Sequence, residues 1–122
     1  MNRANDKPQL FHILREDALE TRHSTFGTVG KVFRGDGVEA VWVKKQNEEI
    51  DPAWFSQPMV DLMLVVSGKL KIEFERSDLS PSVLEPGDLL VLPPDTRCRA
   101  YHWPRDIEEP TTFFAVYPVS SV

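Results

Sequence analysis

The sequence predicts an all-β domain, either a sandwich or a barrel, and three observations carry that prediction. Ten prolines and six glycines punctuate short apolar stretches. Residues 69–75 alternate apolar with charged side chains, the two-residue period of a half-buried strand. Turn signals recur at the short spacing of linked strands. Length agrees, since 122 residues form a single domain able to bury about two thirds of its unfolded surface.

Taken in order, residues 1–24 form an N-terminal segment whose only helical candidate is a turn or two over 16–20, without a sustained helical period. Residues 25–34 and 38–44 read as strands joined by Gly35-Asp36-Gly37, a sequence suited to the positive φ angles of a tight hairpin. Residues 62–66 and 69–75 flank a turn at Ser67-Gly68, and Leu70, Ile72 and Phe74 should point inward. A short strand at 83–84 leads into the turn Glu85-Pro86-Gly87-Asp88. Strands at 89–92, 97–103 and 111–117 complete the chain, separated by Pro93-Pro94-Asp95 and a loop near 104–110.

Two strands are apolar on both faces. Residues 60–66 place Asp61, Met63 and Val65 on one side and Leu62, Leu64 and Val66 on the other, and residues 112–117 behave similarly. A two-layer sandwich hides only one face of each strand. The other face calls for a second subunit, making the protein a homodimer, or for Phe11, Ile13 and Leu14 folding back as cover.

Composition excludes several classes. Nineteen acids against fourteen bases give a net charge of −5, with no basic stripe, so nucleic acid is not an expected partner. Apolar runs such as 62–66 are far too short to cross a bilayer, and no membrane association is expected. The start of the chain has no apolar signal core behind its charges, which points to the cytoplasm. A single cysteine, Cys98, rules out an internal disulfide and any zinc site built from several thiolates.

The region 54–102 resembles the cupin family. The run Leu84-Glu85-Pro86-Gly87-Asp88-Leu89-Leu90-Val91-Leu92-Pro93-Pro94-Asp95 is similar to that family's second motif: a glycine, five residues, a proline, then a turn residue and a ligand histidine. The end of the first motif, an acid, six residues and a glycine, matches Asp61 and Gly68. This resemblance implies a jelly-roll β-barrel, also called a double-stranded β-helix, with a pocket between its sheets. Metal-binding members use two histidines one residue apart, an acid and the second-motif histidine, a set suited to iron, manganese, nickel or zinc.

Matched position by position, that set is missing here. Trp54 and Ser56 take the histidine pair with a four-residue spacer before Asp61, and Phe55 and Gln57 take it with a three-residue spacer. Asp61 occupies the acid position, Cys98 the second-motif histidine, His102 the asparagine that follows, and Asp95 the turn glycine. Asp61 and Cys98 are too few donors for a stable site. In a regular strand His102 shares the Cys98 face but lies roughly 13 Å along it. No metal and no other cofactor is expected. A nucleophilic role for Cys98 would need a nearby cation or base, and Arg97 and Arg99 point to the opposite strand face.

Asp61 among apolar neighbours should be desolvated, with its pKa raised, unless Ser56, a backbone amide or water satisfies it. The sequence therefore points to a metal-free, dimeric domain without catalytic function. It would bind a small, partly apolar ligand in a pocket lined by Trp54, Ser56, Asp61, Met63, Cys98 and Phe114. Two alternatives stay open. One is an enzyme, using a metal held by unconventional ligands or acid–base chemistry through Asp61, as in metal-free isomerases and epimerases. The other is a structural or regulatory dimer whose barrel is filled by its own side chains.

Overall fold

The alternating segments fold into two facing antiparallel sheets in the computed structural model, which describes residues 7–119. The charged start read above for a signal core, residues 1–6, lies outside them. In chain order the strands are β1 (Glu20–Ser24), β2 (Gly27–Gly35), β3 (Val38–Lys45), β4 (Asp61–Ser67), β5 (Leu70–Phe74), β6 (Ser82–Leu84), β7 (Leu89–Leu92), β8 (Cys98–His102) and β9 (Thr111–Pro118). One sheet runs β1-β2-β3-β9-β4-β7 and the other β6-β5-β8. The barrel is thus two sheets packed face to face, and its hydrogen-bond ladder does not close. No helix among the described residues is long and apolar enough to cross a membrane.

The helix expected over 16–20 does not form. A single 3-10 turn occupies Ile13–Arg15, Glu16 ends it in the left-handed conformation at φ 62, and Glu20 already belongs to β1. All five β1 residues are exposed, so no apolar alternation could have announced this strand. Its ladder with β2, from Glu20 opposite Lys31 to Ser24 opposite Gly27, holds it at the sheet edge.

The β2–β3 hairpin turns where expected, with Asp36 at φ 51 and Gly37 at φ 77, matching the twist of the flanking strands. Gly30 has a separate task. It faces Trp42 across the ladder, and a Cβ there would stand 2.1 Å from the indole ring. The missing side chain lets Trp42 lie flat at 1% exposure, its Nε1 donating to the Asp17 carbonyl at 2.9 Å.

Ser67-Gly68 turns the chain from one sheet into the other. Gly68 has φ 71, and a Cβ there would approach the Pro110 carbonyl to 2.6 Å, so two constraints meet at one position. Beyond the turn, Leu70 and Ile72 are completely buried and Phe74 packs against the same core, as their alternation predicts. Each such aliphatic side chain contributes about 1.5–3 kcal/mol. The outward charges are also used: Lys71 lies 4.1 Å over the Trp103 ring, and Arg99 pairs with Glu73 at 3.1 Å.

The turn after β6 is tied inward. Asp88 accepts from the Glu85 amide at 2.7 Å, and the Val65 amide donates to the Asp88 carbonyl at 3.1 Å. Asp95 adopts φ 61, the angle the motif glycine would take, and its amide donates to the Gln57 carbonyl at 2.8 Å.

The second apolar face is covered only in part. Ile13 and Leu14 border the same groove as Trp42 and Thr112, and Lys44 reaches Glu16 at 2.7 Å. Leu62 and Leu64 remain 36% exposed, and the adjacent β7 presents Leu89 at 58% and Val91 at 53%. In register, Leu62 lies between Val91 and Val116, and Leu64 between Leu89 and Phe114. They form one contiguous apolar surface.

Candidate functional site

Strand alternation sends one set of side chains into the space between the sheets. From β4 these are Asp61, Met63 and Val65, and from β9 they are Phe113, Ala115 and Tyr117. Val41, Val43 and Lys45 come from β3, Val29 from β2, and Cys98 and Ala100 from β8. The loop between β3 and β4 supplies Asp51, Ala53, Phe55 and Gln57. These groups do not fill the interior. They line an open-mouthed cavity of about 390 Å³, within the size range of small-molecule sites. The filled barrel weighed from the sequence is therefore not what forms.

Asp61, Met63 and Cys98 all line this cavity, whereas Trp54, Ser56 and Phe114 do not. The cause is register. Phe55 pairs with Cys98 through two backbone hydrogen bonds of 2.8 Å, which turns Phe55 and Gln57 to the cavity and Trp54 and Ser56 away. The three-residue spacer is thus the one adopted. Trp54 instead stacks beneath the Arg99 guanidinium at 4.3 Å, and Ser56 is exposed. On β9 the inward aromatic is Phe113, while Phe114 faces outward beside Leu64 and Trp42.

Asp61 is the unusual member. It is 3% exposed, and its Oδ1 has no hydrogen-bond partner. Burial alone pushes its carboxyl up to about 6. Among the described residues the other buried side-chain oxygen without a hydrogen bond, Glu39 Oε2, has a cation 3.6 Å away in Arg34. Next to Asp61, the Tyr117 hydroxyl donates to Glu39 Oε1 at 2.5 Å. Burial, reinforced by that acceptor, holds the Tyr117 phenol protonated. Cys98 is buried, and its thiol is pushed up to about 11 by that burial and by the Asp61 charge, which disfavours the thiolate form.

At the other end, Lys45 donates to the Phe26 carbonyl at 2.8 Å. Burial lowers its pKa, against the opposing charges of Glu48 and Asp51. Glu48 and His102 close that end of the interior together. Glu48 Oε1 meets His102 Nδ1, Oε2 accepts from the His102 amide at 3.1 Å, and Arg105 Nη1 reaches Oε2 at 3.2 Å. His102 is therefore buried in an ion-pair cluster and does not line the cavity.

Lys45, Tyr117 and the Glu48 cluster are not among the residues the sequence points to. Tyr117 follows from Phe113 by simple alternation. A lysine at a strand end ordinarily points to water, and Glu48 lies 54 residues from its partner, so neither carried a local signal.

Solved structures share the two-sheet fold. A candidate mannose-6-phosphate isomerase from Ralstonia eutropha is 24% identical, with a TM-score of 0.68 over 93% of this chain and 100% of that one. An uncharacterized conserved protein with a double-stranded β-helix domain from Klebsiella pneumoniae is 20% identical, with a TM-score of 0.71 over 92% and 90%. An RmlC-like cupin family protein from Methanocaldococcus jannaschii, 15% identical, superposes with a TM-score of 0.62 over 80% and 84%. The chain has the cupin fold. No protein-family model and no curated protein matches its sequence.

The metal set that the cupin fold can carry does not fit these residues. Phe55 has no lone pair to offer, Gln57 only a neutral amide, and His102 is turned into its pair with Glu48. Among the described residues no three His, Cys, Asp or Glu side chains converge to hold a metal ion.

Proposed function

We propose that this protein is a small-molecule-binding domain of the cupin fold, non-catalytic, whose partly apolar ligand presents a hydrogen-bond donor to Asp61. The observation that carries the reading is the unpartnered, buried Asp61 Oδ1 on the wall of an apolar cavity. A buried acceptor without a partner costs about 1–3 kcal/mol, and more when ionised, so a donor brought by a ligand gains that much. The apolar walls supply the remainder of the affinity. A cytoplasmic location belongs to the same proposal.

Hexylamine and hexanol are suitable probes. Either is expected to raise the melting temperature of the wild-type protein, because a ligand selective for the native state stabilises it in proportion to occupancy. The shift should vanish in Asp61→Leu. Equal shifts in both proteins, or none with either probe, would remove the basis for the reading.

One observation favours a second reading. A carboxyl that titrates at about 6 inside a cavity can both take and release a proton near neutral pH, as an isomerase or epimerase requires. The Ralstonia neighbour's name is in keeping with this class, although the apolar walls here suit a sugar phosphate poorly. Isomerase turnover that is lost in Asp61→Asn would replace the non-catalytic reading.

We also propose that the apolar surface of Leu62, Leu64, Leu89 and Val91 pairs with the same surface of a second copy. A two-fold dimer brings the same patch of both subunits together, and an uncharged apolar patch meets its copy without like-charge repulsion. Sedimentation should give a dimer for the wild type and a monomer for Leu64→Glu with Val91→Lys. A monomeric wild type at micromolar concentration would end this proposal.

A further inference from the structure

Asp61 and Lys45 stand toward opposite ends of the cavity, the wall between them is mostly apolar, and Arg99, which also lines it, is paired with Glu73. By strand register Asp61 sits beside Tyr117, because the next residue, Leu62, pairs with Val116. Tyr117 in turn pairs with Glu39. Lys45 lies at the far end of the same strand as Glu39, opposite Thr111. Six residues of strand at about 3.4 Å each separate those levels by roughly 20 Å of backbone. Val41, Val43, Met63, Phe113 and Ala115 line the space between, and their side chains offer no hydrogen-bonding group.

Each end lacks a partner of a particular kind. Asp61 Oδ1 is an acceptor without a donor. Lys45 is a cation whose hydrogen bond goes to a neutral carbonyl, and that one bond leaves two of the three ammonium protons for another acceptor. Nearby Glu48 is already bound to His102 and Arg105. Asp51 borders the same end, is exposed, and accepts from the Ala53 amide.

We propose that the ligand is a straight-chain ω-amino carboxylate, its ammonium on Asp61, its carboxylate on Lys45, and its methylene chain along the apolar wall. This rests on the reading that Asp61 receives a ligand's donor, and adds the class of molecule and its orientation. A fatty acid would leave Asp61 bare, and an alkylamine would leave Lys45 bare. An α-amino acid carries both charges at one end and cannot span the two groups.

Calorimetric titration of the wild-type protein at neutral pH tests this. The probes are straight-chain ω-amino carboxylates from aminobutyrate to aminodecanoate, alkylamines of equal length, and norleucine, an isomer of aminohexanoate. The longer ω-amino carboxylates are expected to bind about tenfold or more tightly than the matching alkylamine or norleucine, the value of one added charge-assisted hydrogen bond. Lys45→Met should remove that advantage, and Lys45→Arg, which keeps the charge, should retain most of it.

If alkylamines bind the wild type as tightly as their ω-amino carboxylate counterparts, this assignment is wrong while the Asp61 reading stands. If neither class binds, both fall. An advantage that persists in Lys45→Met, in protein whose melting curve shows it folded, would also overturn the assignment.

Discussion

Asp61→Asn is expected to make the ligand-free protein more stable at pH 8 and no more stable at pH 3. The folded-state pKa of about 6 lies above the ordinary value of 3.8. Below both values the carboxyl is protonated whether the chain is folded or not, and burial carries no charge penalty. As pH rises from the ordinary value toward the folded one, the unfolded chain ionises while the buried carboxyl resists, so stability falls, and the loss is complete once pH has passed the folded value. At about 1.4 kcal/mol per pKa unit, the full penalty above pH 7 is about 3 kcal/mol.

The groups facing Asp61 do not cancel it. Cys98 from β8 is a protonated thiol, Tyr117 from β9 a protonated phenol whose proton goes to Glu39, and Glu39 from β3 is itself an acid. Asparagine keeps the shape and loses the charge. For a domain of this size, about 3 kcal/mol corresponds to a rise in melting temperature of roughly 10 °C or more. Melting curves across pH for the two proteins make the check. A wild type whose stability does not decline between pH 4 and pH 7 relative to the variant would show that Asp61 has a partner after all. The same ionised carboxylate explains why a donor-bearing ligand should bind best at neutral pH, where the unmet charge is greatest.

Glu48→Ala should be more damaging, at about 3–5 kcal/mol, because it leaves the buried His102 ring and amide facing an uncompensated space. The burial of Glu48 by itself would raise its carboxyl pKa. The hydrogen bonds from the His102 amide and ring outweigh that and hold it below the usual carboxylate range. The carboxylate also anchors Arg105 and the loop that carries Asp51, Phe55 and Gln57 to the cavity. Urea denaturation measures the loss. The double replacement Glu48→Leu with His102→Leu should recover most of it, since removing both partners leaves no orphaned polar group. A double variant as unstable as Glu48→Ala would mean that the loop is held by something other than this pair.

Legibility of the fold and of the site differed for a physical reason. Leu70, Ile72 and Phe74 declare a strand because each residue's partition between core and water is decided by its own side chain and the two-residue period. Gly35-Asp36-Gly37 and Gly68 declare turns because the backbone angles there are local. β1 was invisible because its five exposed residues obey no partition. In the site, Asp61, Met63 and Cys98 were legible from alternation and motif position, while Trp54, Ser56 and Phe114 were placed one residue out of phase. A single-residue slip costs nothing in composition and reverses every side chain.

The sequence alone settled the all-β class, the turns, the shortage of metal donors and the acid at position 61, since each depends on residue identity or on neighbours along the chain. The tertiary structure alone decided that Phe55 borders the cavity and Trp54 does not, that Lys45 lines it, and that Glu48 meets His102. Those outcomes depend on hydrogen-bond register between strands and loops far apart in the chain, where pairing geometry, and not the preference of any one residue, determines which side chain meets which.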